Sequence, residues 1–195
     1  MIAHRLNAIA PFHAMALLAR ARELEAQGRS VVHMEIGEPD FATPQPVVDA
    51  GINALRQDKT HYTPAVGLPE LREAIADYYL SQFQAKIDPR RVVVTPGASG
   101  ALQLILAMLV DPGSQVLMAD PGYPCNRNLV FLFEGEPVMV PVEAQHHYQL
   151  STELLQHYWS DRTSCVMVAS PSNPTGTVIS RDRLAALLQM VRDRG

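Results

Sequence analysis

Lysine and cysteine are both scarce in this chain. Of its 16 Lys and Arg residues only Lys59 and Lys86 are lysines, and the 2 cysteines, Cys125 and Cys165, lie far apart. That separation supports neither a zinc site nor a disulfide framework, and it fits a reducing, cytoplasmic compartment. Excess charge of one sign is lacking too. The net charge of -4 attracts neither nucleic acid nor an anionic membrane surface. The apolar runs fall far short of the ~20 residues that span a bilayer. MIAHRLNAIAPFHAMALLAR is too broken by polar residues to serve as the apolar stretch of a signal peptide. Internal repeats and low-complexity linkers are missing as well. The histidines are dispersed except for His146 and His147 near Glu143. Adjacent residues on a strand face opposite ways, so this group reads as a solvated loop and not a metal site.

What is present is an ordinary globular balance, 47% hydrophobic and 18% charged, in a length that buries a substantial core. Residues 13–27 space their apolar side chains as a helix does, with Gly28 as its C-cap. VVHMEI at 31–36 predicts a short strand. Pro46 suits the first turn of a helix reaching about Asp58, and Leu71, Ile75 and Tyr78 mark a helical stripe over 68–84. Alternation then sets in. Strands at 91–95, 115–119, 136–141 and 165–169 are separated by helices at 98–109, about 123–133 and 151–159, and a helix at 180–193 follows. Strands apolar on both faces, alternating with helices, predict an α/β fold: a mostly parallel sheet with helices on both faces. Ligands in such folds bind beyond the carboxyl ends of the strands.

Three of those strand-end loops carry unusual residues. TPGASGALQ leads a glycine and small residues into a helix, which is either a plain helix start or a cradle of backbone N–H groups for an anion, with the Ser99 hydroxyl in reach. The spacing of Gly97 and Gly100 is not the dinucleotide fingerprint, and no GK[ST] follows. DPGYPCNRN holds Tyr123 between prolines, either as a cover for the core or as a ring to stack on. SPSNPTG fixes Asn173 between two more prolines, as a turn residue or as an amide aimed at a ligand. Together they suit a planar heteroaromatic ring that carries a phosphate. Upstream, Tyr62 lies in a Pro- and Gly-bounded loop, and Gly37 in IGEPDFATP permits close backbone approach.

IGEPDF, THYTPAVGLPELREAI, VTPGASGAL, DPGYP and SPSNPTG, in this order, resemble the fold-type-I pyridoxal-phosphate aminotransferases of class I/II. The resemblance runs from about Pro11 to the end. It implies pyridoxal 5'-phosphate as cofactor, and an amino acid and a 2-oxo acid as substrates. It implies that Ala98 and Ser99 hold the cofactor phosphate, that Tyr123 stacks on the ring, and that Asn173, with the following proline often cis, meets the phenolic oxygen. It further implies a homodimer in which Tyr62 reaches the phosphate of the neighbouring subunit, and a backbone contact from Gly37 near the substrate carboxylate. Residues 1–35 are expected to be the N-terminal segment of the small domain, and 36–195 the first part of the large one.

The family's Schiff-base lysine has no match here. Lys59 in QDKTHY and Lys86 in QAKIDPRR both read as surface residues, and the family's lysine would lie beyond Gly195. The cofactor's aspartate partner and the carboxylate-clamping arginine would lie there too. The expectation is therefore the N-terminal half of an aminotransferase, inactive alone and prone to associate through uncovered apolar faces. Carbon–sulfur lyases share these motifs. A non-catalytic regulatory module is a further alternative, although the motifs begin within the first 40 residues and leave little space for a DNA-binding head.

Overall fold

The computed structural model describes residues 2–194. In chain order the helices and strands are α1 (His13–Ala26), α2 (Gln45–Arg56), α3 (Pro69–Phe83), α4 (Gly97–Leu109), β1 (Gln115–Asp120), α5 (Pro124–Leu132), β2 (Glu136–Pro141), α6 (Thr152–Tyr158), β3 (Thr163–Met167) and α7 (Arg181–Asp193). The chain clusters into two units. One comprises Met1–His33 with Leu102–Gly195, and the other Met34–Ala101.

The first unit holds the sheet. Its order is β2-β1-β3, with both pairings parallel. β1 lies in the middle, and its residues from Gln115 to Met118 are buried. Because side chains alternate across a strand, β1 feeds two separate cores. Leu117 points into one with Val140, Leu150, Leu155, Leu187 and Met190, which brings α6 and α7 onto that face. Val116 and Met118 point into the other with Leu106 and Val130, which brings α4 and α5 onto the opposite face. β2 and β3 follow the same parity: Val138 and Val166 pack on the first face, Met139, Cys165 and Met167 on the second. The α/β expectation thus holds, with helices on both faces.

Helix ends obey local chemistry. The hydroxyls of Ser151 and Ser180 accept the backbone N–H of Leu154 and Arg183 and so start α6 and α7. Proline occupies the first turn of α2, α3 and α5. α1 stops as expected, with Gly28 N–H on the Glu25 carbonyl and Arg29 N–H on that of Leu24.

Two expected strands are absent among the described residues. VVHMEI (31–36) forms no ladder, and Val32 and Met34 stand exposed. RVVVT (91–95) is likewise irregular. Val94 N–H donates to the Val66 carbonyl at 3.0 Å, and Arg72 Nε donates to the Val92 carbonyl at 2.8 Å. This segment therefore lies against the loop before α3 instead of a neighbouring strand. Gly67 (φ +100°) makes that approach possible, since a Cβ there would sit 2.5 Å from Val94 Cγ2. β3 also begins two residues earlier than expected and ends at Met167, so Val168 and Ala169 leave the ladder ahead of the SPSNPTG corner. The Glu143–His146 group closes a local turn: Glu143 N–H donates to His146 Nδ1 at 3.1 Å. No helix among the described residues is long and apolar enough to cross a membrane.

Candidate active site

β1 and β3 run parallel, so the loops that follow them leave the sheet at the same end. Between these loops lies a small, open cleft. Met118, Met139 and Met167 of the three strands line it, with Gly122, Tyr123, Asn126, Gln149, Ser172 and Asn173 around them. This is where a parallel sheet is expected to bind ligands, and every lining residue belongs to the first unit.

Tyr123 owes its position to its neighbours. The Asp120–Pro121 peptide is cis, and Pro124 opens α5 directly after the tyrosine. A Cβ on Gly122 would lie 2.5 Å from the Ala119 carbonyl oxygen, so the turn closes only around a residue without a side chain. The ring of Phe12 meets Tyr123 edge-on, 5.8 Å between centroids and 75° between planes. Asn128 ties the same arm down by donating to the Ala10 carbonyl at 3.2 Å. Hydrogen bonding with the Cys125 side chain, and then burial, push the Tyr123 phenol above its ordinary value.

Asn173 sits on the corner after β3. The Ser170–Pro171 and Asn173–Pro174 peptides are both cis, the second as the resemblance leads one to expect. Ser172 N–H donates to the Thr177 carbonyl at 2.9 Å and Gly176 N–H to that of Ser172 at 2.7 Å, closing the loop on itself. The Asn173 side chain is exposed and has no hydrogen-bond partner among the described residues, so its amide is available to a ligand.

Tyr123 and Asn173 are thus brought to one cleft. The other expected residues belong to the second unit. Ala98 and Ser99 occupy the exposed first turn of α4, where backbone N–H groups have no partner within the helix and no acidic side chain offsets the dipole. Tyr62 is fully exposed in the loop before α3. Among the described residues, no atom would meet a Cβ at Gly37. Both lysines are exposed. No group of three His, Cys, Asp or Glu among the described residues is arranged to hold a metal.

Sequence reading passed over Gln149, Asn126 and Phe12. Single polar or aromatic residues with no characteristic spacing give no signal, and only the folded sheet brings them beside the two loops.

The sequence family described as aminotransferase class I and II matches residues 29–195. A (5-formylfuran-3-yl)methyl phosphate transaminase of Methanocaldococcus jannaschii is 40% identical over 93% of this chain and 47% of its own length. A probable aspartate/prephenate aminotransferase of Aquifex aeolicus is 37% identical over 100% of this chain and 49% of its own. Among solved structures, an aminotransferase from Mycobacterium tuberculosis superposes with a TM-score of 0.93 at 35% identity, over 99% of this chain and 49% of that one. Aspartate aminotransferase from Thermus thermophilus with maleate gives 0.93 at 33% identity, over 99% and 50%. The chain spans about half the length of the curated relatives it matches.

Proposed function

The chain belongs to the class I and II aminotransferases, whose cofactor is pyridoxal 5'-phosphate, and from that premise we propose that the protein moves an amino group from an amino acid to a 2-oxo acid. The observation that carries this reading is the pairing of Tyr123 and Asn173 on one cleft at the carboxyl ends of β1 and β3. The residues fit a flat, phosphorylated ring. In the first unit the Tyr123 ring offers a face to stack on and the Asn173 amide has no partner among the described residues; the start of α4, free of acidic side chains, suits the phosphate that the resemblance assigns to it.

When bound, pyridoxal 5'-phosphate supplies an electron sink for the substrate's α-carbon. The chain's own residues do the holding. The Tyr123 ring would stack on the bound ring, and the Asn173 amide would donate to its phenolic oxygen. By the resemblance, backbone N–H groups at Ala98 and Ser99, with the Ser99 hydroxyl, would receive the phosphate. Gly37 offers backbone to the substrate carboxylate. The complete exposure of Tyr62 supports a homodimer in which this side chain serves the neighbouring subunit's phosphate. In this reading residues 1–35 belong to the small domain and 36–195 to the large one. The free thiols of Cys125 and Cys165 support a cytoplasmic location.

For these 195 residues alone the reading is cofactor binding without transamination, because neither Lys59 nor Lys86 stands where the family's motif places its Schiff-base lysine. Titrating the chain with pyridoxal 5'-phosphate by absorbance tests it. Asn173→Ala and Tyr123→Ala are each expected to weaken binding about tenfold, the worth of one hydrogen bond or one stacked ring. Borohydride treatment followed by peptide mapping should find no adduct at a single lysine. A unique reducible adduct, or steady transaminase turnover, would overturn the assignment of roles.

A further inference from the structure

Gln149 is a polar residue buried to 3% exposure, and it lines the cleft without belonging to either loop. Its backbone is held from both sides, and its own N–H donates to the His146 carbonyl at 3.2 Å. Leu150 is buried in the core beneath α6 and α7, and the Ser151 hydroxyl starts α6. The side chain then reaches the SPSNPTG corner. Its Nε2 donates to the Thr177 carbonyl at 2.9 Å, to Thr177 Oγ1 at 3.1 Å and to the Ala169 carbonyl at 3.4 Å. Ala169 is the last residue before the corner and Thr177 the first after it, so one amide spans the neck of the loop.

The bonds inside the corner, from Ser172 to Thr177 and from Gly176 to Ser172, make it rigid in itself. They do not decide where it stands relative to the rest of the cleft. Among the described residues, the side-chain hydrogen bonds that tie residues 169–177 to a residue earlier in the chain come from Gln149, while on the other side the Ser170 hydroxyl accepts the Ile179 N–H at 3.1 Å. We propose that Gln149 is a positioning residue: by clasping Ala169 and Thr177 it sets the height and tilt of the corner, and hence the place of the Asn173 amide in the cleft. This rests on the assignment of Asn173 as a ligand contact. A glutamine suits the neck because the Ala169 and Thr177 carbonyls can only accept, and a neutral amide donates to them without burying a charge.

Gln149→Met keeps the volume and removes the donors. Amide exchange over residues 170–177 should then quicken about tenfold, the effect expected from losing a buried hydrogen bond, while β1 keeps its protection. Unchanged exchange at the corner would overturn the proposal. Pyridoxal 5'-phosphate affinity should fall about tenfold with Asn173 present and show no further loss in the Asn173→Ala background, since contacts acting through one another are not additive. Equal losses in both backgrounds would make Gln149 a merely structural residue, and the proposal would fall. If the methionine variant does not fold, Gln149→Glu, which keeps the length without an amide donor, carries the same two measurements. Should the unsubstituted chain bind no pyridoxal 5'-phosphate, the functional assignment of the cleft fails, and corner exchange still decides whether Gln149 clasps the loop.

Discussion

Asp88 shows how much one side chain can organise. It caps the turn Pro89–Arg91 by accepting the Arg90 N–H at 2.9 Å, and its carboxylate also meets the Arg90 guanidinium at 2.6 Å. These bonds, the side-chain one foremost, hold its carboxyl down to about 2 from the ordinary 3.8. A depressed carboxyl stabilises the fold in its charged form. The contribution is complete above about pH 4, the unfolded value, and is lost as the pH falls toward 2. An NMR titration of the Asp88 carboxyl should therefore inflect well below the midpoint of a free aspartate. A midpoint near 3.8 would remove the interaction. Gly122 makes the second argument at this scale. A methyl group there has no space beside the Ala119 carbonyl, so Gly122→Ala must shift the turn that carries Tyr123. Weakened pyridoxal 5'-phosphate binding, with β1 and α5 otherwise intact by circular dichroism, is the expected outcome.

The helices conform to what local chemistry demands of them. Their hydrogen bonds close within four residues, so spacing, caps and prolines suffice to place them, and α1 to α7 fall within a few residues of the expected bounds. Ser180 at the start of α7 makes this quantitative: its hydroxyl accepts the Arg183 N–H at 3.3 Å. Ser180→Ala should cost about 1 kcal/mol in urea unfolding, the usual worth of a lost N-cap. Strands obey a different rule. VVHMEI and RVVVT have the composition of strands, yet neither finds a ladder partner among the described residues. The Val92–Thr95 stretch instead follows a loop that Gly67 allows close. β1, β2 and β3 did find partners, and their alternating side chains fill a core on each face.

At the scale of the whole molecule, the second unit presents large apolar side chains to solvent: Val47, Ile52 and Leu55 on α2, Tyr78 and Phe83 on α3. Surfaces of this kind drive association. Sedimentation equilibrium should report a mass that rises with concentration, and Leu55→Lys with Phe83→Asp should lower it. A monomer mass at every concentration would remove the expectation of self-association. The corner SPSNPTG, the turn DPGYP and the start of α4 were legible from their residues, because glycine, proline and asparagine write their backbone constraints locally. So were the helices and the strand–helix alternation. The amino-acid sequence by itself thus determined the α/β character and singled out two of the residues that line the cleft. Which apolar runs became strands, which core each side chain entered, and that Gln149 would hold the corner carrying Asn173 were decided only by the tertiary structure. Ladders and buried hydrogen bonds join residues far apart in the chain, and no local pattern records which partner is met.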